Sequence, residues 1–146
     1  MNITIRTKVN TNYKSVFSRF DLSLFKALKP FGIPLKVERF DGCKVGDEIH
    51  LIVGPFKQTW VSIVTENIID GNESSFVDEG DTVPFPISKW RHYHKIERIS
   101  ESETYIVDDI NYECRNIILT YLMYPLFYLQ FLSRVPVYKR FFDNGN

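Results

Sequence analysis

The sequence predicts an α+β fold: a curved, seven-stranded antiparallel sheet around a long C-terminal helix, with two short helices between the first and second strands. Three observations carry this. Seven short runs rich in β-branched and aromatic residues are separated by turn residues. Two runs of helical spacing fall between the first strand and the rest. The chain then ends in an apolar stretch much longer than a strand of 3–10 residues.

Positions 1–9 alternate, with Ile3, Ile5 and Val9 on one side and Arg6 and Lys8 on the other. They read as a strand and not as a signal peptide. The polar stretch 10–12 can cap a helix over 15–20, and Asp21 can cap a second over 22–28, stopped by Pro30 and Gly32. The next strand, 35–40, runs into the turn Asp41-Gly42, and 45–53 ends at Gly54-Pro55. Positions 58–68 are closed by Asp70-Gly71-Asn72, and 74–79 lead into a loop over 80–86. The last hairpin pairs 89–99 with 104–113. A helix over 116–141 completes the chain, kinked or broken near Pro125 and Pro136. Sequential strands joined by short turns pair antiparallel and leave one dry face, which the last helix has the length to cover.

A chain of 146 residues with 44% hydrophobic and 25% charged side chains is expected to form one domain over 1–146. Its 12 Phe, 8 Tyr and 2 Trp are enough both to fill a core and to line a pocket. Eighteen basic and eighteen acidic residues leave a formal net charge of zero. No overall field draws nucleic acid, and only Lys139 and Arg140 suggest a local basic patch. Cys43 and Cys114 lack metal-ligand spacing. Two thiols without an export signal point to a reducing cytoplasm. The uncharged run 117–132 is shorter than the ~20 residues of a membrane span and is interrupted by Thr120, Pro125 and Gln130. It reads as a helix buried in a core, with membrane contact unexpected.

The most informative segment is 90–97. In a strand, Trp90, His92, His94 and Ile96 share one face, while the wetter set Arg91, Tyr93, Lys95 and Glu97 shares the other, so both imidazoles turn inward. The neighbouring strand carries Ile106, Asp108, Ile110 and Tyr112 on an apolar face interrupted by one carboxylate. An unpaired buried polar group costs roughly 1–3 kcal/mol, so Asp108 or Tyr112 is expected to bond a histidine. Three readings of the cluster stay open: a structural network, a polar anchor for an apolar ligand, or acid–base catalysis by His92, His94 and Asp108. His-x-His also suits a metal, but a third ligand from Asp78, Asp108 or His50 would have to converge. The spacing does not supply it, and no metal or cofactor is expected. Trp60 and Phe76 lie mid-strand as core or pocket lining. Tyr121, Tyr124 and Tyr128 form one stripe of the last helix, and Tyr121 and Tyr128 are expected at the cavity because a dry helix offers their hydroxyls few partners. The acidic stretch 78–81 is a solvated loop edge that could border a cavity mouth.

A series of motifs runs through nearly the whole chain. Arg39-Phe40-Asp41-Gly42 is followed by Gln58-Thr59-Trp60, Phe76-Val77-Asp78-Glu79, Pro84-Phe85 and Trp90-Arg91-His92-Tyr93-His94, with Asp108 and Tyr112 on the last strand. In this order they resemble the START-like helix-grip superfamily, often called SRPBCC, and within it a branch of small bacterial ligand-binding proteins related to polyketide cyclase/dehydrase-like chains. Glu113-Cys114-Arg115-Asn116 stands where that family often has a proline- and glycine-rich entry to the last helix. The resemblance implies a helix-grip fold enclosing a cavity. It leaves activity open, because one fold hosts many functions. The expected role is binding or carrying a small hydrophobic or aromatic molecule. The alternatives are a cyclase/dehydratase-type enzyme and an interaction module docking through Phe141 and Phe142, with a homodimer as one such assembly.

Overall fold

The computed structural model describes residues 1–144; the last two positions of the expected domain lie outside them. Seven strands form one antiparallel sheet in the order β1-β7-β6-β5-β4-β3-β2. They are β1 (Asn2–Val9), β2 (Leu35–Phe40), β3 (Glu48–Val53), β4 (Gln58–Ile69), β5 (Glu73–Thr82), β6 (Ile87–Arg98) and β7 (Thr104–Cys114). Only the β1–β7 pairing joins strands distant in sequence, with Ile3 opposite Ile110 and Val9 opposite Thr104. Every other neighbour is a hairpin partner, as short turns dictate. Register breaks in β2–β3, at two places in β4–β5 and in β6–β7 are bulges of the kind that bend a sheet. Gly80 is required by one such close approach: a Cβ there would stand 2.4 Å from Val83 and 3.1 Å from the Trp90 Cβ.

Two short helices, α1 (Tyr13–Ser18) and α2 (Leu22–Ala27), cross between β1 and β2. Their start points are set by side chains, Asn12 accepting from the Ser15 N–H at 2.9 Å and Asp21 from the Ser23 and Leu24 N–H groups. Asn116 caps the C-terminal helical stretch in the same way, accepting from the Leu119 N–H. That stretch is divided into α3 (Ile117–Leu132) and α4 (Arg134–Asp143) at Ser133. Pro136 cannot donate to the Leu132 carbonyl four residues back, so the helix breaks there. Pro125 is carried inside α3 without a break.

Several sequence expectations shift. β3 starts at Glu48 because Lys44 to Asp47 form a turn, with the Asp47 N–H donating to the Lys44 carbonyl. β5 continues through Thr82, so the loop expected over 80–86 shrinks to 83–86. The largest correction concerns α3. Only Thr120, Phe127 and Phe131 are buried, on one stripe that packs towards β7, β1 and α4. Among the described residues the opposite half of the helix is left uncovered, and Ile118, Leu122 and Leu129 are each more than 60% exposed. Among the described residues no helix is long and apolar enough to cross a membrane.

The core is split. One cluster holds Ile3, Ile5, Trp90, Ile110, Tyr112, Phe127 and Phe131. The other holds Val9, Val16, Leu24, Ile96, Ile106, Tyr138 and Phe142. Along β6 and β7 the two are separated by His92, His94 and Asp108, a polar belt across an otherwise dry face.

Candidate functional site

The belt is built by strand register. β5 places Asp78 opposite His92, and β7 places Asp108 opposite His94. Each histidine bonds the carboxylate diagonal to it. His94 Nε2 lies 2.8 Å from Asp78 Oδ2, and His92 Nε2 lies 2.9 Å from Asp108 Oδ1. The direct pairs are longer, 3.7 Å for His92 Nδ1 to Asp78 Oδ2 and 3.8 Å for His94 Nδ1 to Asp108 Oδ1. The two rings are 3.6 Å apart between centroids. Four side chains from three strands therefore form one compact cluster, of which Asp78, His92 and Asp108 are buried.

Helix α4 contributes the rest. Tyr138 donates its hydroxyl to Asp108 Oδ1 at 3.3 Å, and Arg134 Nη1 lies 3.5 Å from the same oxygen. The Arg134 guanidinium sits over the Phe131 ring at 4.2 Å. Among the described residues, two buried side-chain nitrogens have no partner, His94 Nδ1 and Arg134 Nε.

Burial alone would raise both carboxyls. For Asp108 the His92 hydrogen bond and the Arg134 charge outweigh it and hold the group at about 2. For Asp78 the His94 hydrogen bond and the charge of His92 do the same and keep it below the usual carboxylate value. Burial, and next the neighbouring His94, push His92 down to about 4. At neutral pH both carboxylates are ionised and the His92 imidazole is neutral, the state of a base or of a metal ligand.

The cluster forms one wall of a cavity of about 240 Å³. Phe76 stacks on His94 with 4.2 Å between centroids, Phe20 meets both edge-on, and Trp60 and Trp90 form a T-shaped pair at 4.8 Å. The walls continue through Leu24, Leu28, Ile33, Leu51, Pro84, Phe85, Pro86 and Met123. Phe85 is exposed at its rim, with its N–H donating to Gln58 Oε1 and the Arg115 guanidinium above its ring. Cys43 also lines the space, its thiol pushed up to about 12 chiefly by burial. Such a thiol is inert at neutral pH.

Of the residues singled out from sequence, Trp60, Phe76, Asp78, Trp90, His92 and His94 line this cavity. Asp108 stands behind the histidines as their partner. Tyr112, expected beside them, is buried in the first core cluster and donates its hydroxyl to the Thr120 carbonyl at 2.8 Å, away from the cavity. Tyr121 and Tyr128 correct the expectation placed on them: they lie on the outer half of α3, 64% and 38% exposed, where water satisfies their hydroxyls. His50 is on β3, bonded to Glu48 at 2.6 Å, and does not join the cluster. Asp81 is exposed while Asp78 points inward, so the acidic stretch is divided by strand alternation.

Sequence reasoning missed Arg134 and Tyr138. Their signal was present: Arg134 is the first charge after the uncharged run that follows Arg115, and Tyr138 falls four residues on, on the same helix face.

No protein-family model matches the chain, and no curated protein matches it. Solved structures share its fold. Truncated norcoclaurine synthase from Thalictrum flavum superposes with a TM-score of 0.70 at 12% identity, over 97% of this chain and 92% of that one. Protein Ms6760 from Mycobacterium smegmatis gives 0.68 at 12% identity, over 99% and 92%. XoxI from Bacillus cereus gives 0.64 at 13% identity, over 97% and 94%. At such identities the likeness is one of fold.

Proposed function

We propose that this chain, whose fold is the helix-grip fold of the SRPBCC superfamily, binds a small, largely apolar molecule in the cavity, with its polar end against Asp78, His92 and His94. The observation that carries the reading is one partly open cavity with aromatic walls and the Asp78, His92 and His94 cluster on one side. Apolar walls supply affinity by excluding water, and a few fixed polar groups set orientation. A norcoclaurine synthase of this fold has been crystallised in complex with dopamine and hydroxybenzaldehyde. Small aromatic molecules of that kind suit the Trp60, Phe76 and Trp90 surfaces here.

The chain's two tryptophans both line the cavity, so its intrinsic fluorescence reports occupancy. Titration with 8-anilinonaphthalene-1-sulfonate should quench Trp60 and Trp90 with a micromolar to millimolar Kd. Native mass spectrometry of protein from the cell should show a retained small molecule. Absence of both quenching and retained mass would sink the reading. A neutral His92 held by Asp108 also gives the cyclase/dehydratase alternative its base. That alternative requires turnover that His92→Gln abolishes while probe binding stays.

A second reading rests on α3. Ile118, Leu122, Pro125, Leu129 and Leu132 repeat at spacings of four and three along its outer half, the seam of a helix pair. The seam is uncharged and bordered by Ile117 and Tyr121, both about two-thirds exposed. A stable interface hides about 800 Å² on each partner, on the order of what these side chains display. The occupant that fits is α3 of a second copy. Sedimentation should give a concentration-dependent dimer that Leu122→Glu converts to monomer; a monomer at every concentration removes this reading.

A further inference from the structure

The geometry points to a divalent transition-metal site formed by Asp78, His92 and His94, with Asp108 as the group that orients the histidines. It goes beyond the apolar-ligand reading and shares its cavity without depending on it.

One carboxylate oxygen and one nitrogen from each ring lie within 4.8 Å of one another. Ligand atoms at ~2.0–2.2 Å from a first-row ion stand about 3–3.5 Å apart, so closing the set needs side-chain adjustments of about an ångström. Two imidazoles and one carboxylate favour zinc, iron(II) or cobalt(II) over magnesium or calcium, which take oxygen. All three residues line the cavity, which leaves the remaining coordination positions facing the space where a small molecule fits.

Behind His92 the hydrogen bond a metal site needs is already formed, and behind His94 it lies within reach. His92 donates from Nε2 to Asp108, which leaves the Nδ1 lone pair directed towards Asp78, 3.7 Å away. A carboxylate behind a ligating histidine fixes its tautomer in this way. His94 currently spends Nε2 on Asp78 and leaves the buried Nδ1 without a partner. Moving its proton from Nε2 to Nδ1 frees Nε2 for the ion and gives Nδ1–H an acceptor in Asp108 Oδ1, now 3.8 Å away. The shift exchanges one tautomer for another and releases no proton. Charge favours it as well: the Arg134 guanidinium lies 3.5 Å from Asp108, whereas among the described residues buried Asp78 pairs with no Lys or Arg. An unpaired buried charge is costly, and a cation among the carboxylates compensates it.

The test uses the full chain stripped with chelator. Titration calorimetry with zinc chloride should give one equivalent bound with micromolar or tighter affinity, and cobalt(II) should develop visible absorption bands of a low-coordinate nitrogen/oxygen site. His94→Gln and Asp78→Asn should each weaken binding at least ~100-fold, and Asp108→Asn about 10- to 100-fold. Circular dichroism checks that the variants fold. Cys43→Ser, which removes the nearby thiol, should bind as the parent does. Less than half an equivalent of zinc bound, or binding unchanged by His94→Gln, overturns the site. So does zinc affinity lost in Cys43→Ser. The anilinonaphthalene titration on stripped protein separates the two readings: quenching without zinc binding removes the metal site alone, and zinc binding with neither quenching nor a retained small molecule removes the apolar-ligand reading alone.

Discussion

Helices α3 and α4 follow one another in the chain and behave in opposite ways. α3 has no charged residue in its sixteen positions, yet it buries only Thr120, Phe127 and Phe131. α4 contains Arg134, Lys139, Arg140 and Asp143, yet Tyr138 and Phe142 within it are fully buried and anchor the second core cluster. Composition fixes how much apolar surface a helix carries. Whether that surface is covered depends on periodicity and on what lies opposite. In α4 the apolar residues recur at helical spacing and face β1 and α1–α2, whereas α3 is apolar all round and has only one neighbour side. The polar helix also supplies the charge and the hydroxyl that complete the belt.

The contrast is sharpest where the core is cut. Phe142→Ala should cost about 3–5 kcal/mol in urea unfolding, because a fully buried ring leaves a cavity that its neighbours do not refill. A loss below about 1 kcal/mol would mean that α4 is not the anchor. Tyr138→Phe should cost less, about 1 kcal/mol, since Asp108 keeps His92 and Arg134 when the hydroxyl goes.

The same residue sets an alkaline limit. Burial first, and then the Asp108 charge, raise the Tyr138 hydroxyl well above its ordinary value of 10.0. A folded-state value above the unfolded one gives stability that is complete below about pH 10 and lost as pH rises further. Cys43, raised to about 12 by burial, adds a loss in the same direction that begins near pH 9. Tyr138→Phe should therefore flatten the decline above pH 10 in thermal melts; an unchanged slope would place the alkaline limit elsewhere.

The smallest effect belongs to α3. Leu122→Gln should change monomer stability by less than about 0.5 kcal/mol, because its side chain is 66% exposed. A large loss there, measured at a concentration where the protein is monomeric, would erase the distinction between the helices.

Much of the fold was legible in local pattern. Period-two alternation around Asp41-Gly42, Gly54-Pro55 and Asp70-Gly71-Asn72 marked β2 to β5, and the polar stretch 10–12 and Asp21 marked the starts of α1 and α2. Alternation along β6 also turned His92 and His94 inward. The candidate site was legible only in part, because alternation chooses a face but not a partner. His92 bonds the diagonal Asp108 and not its direct neighbour Asp78, and His50 was as eligible by sequence as either carboxylate.

By itself, then, the chain determined where most strands and helices lie and which face of each strand is dry, since both follow from backbone sterics and from water at each residue. Only the folded arrangement decided that three strands and α4 converge on one belt, that Tyr112 turns to Thr120, and that half of α3 stays uncovered. Those outcomes depend on contacts between residues far apart in the chain, set by strand register, which no local window contains.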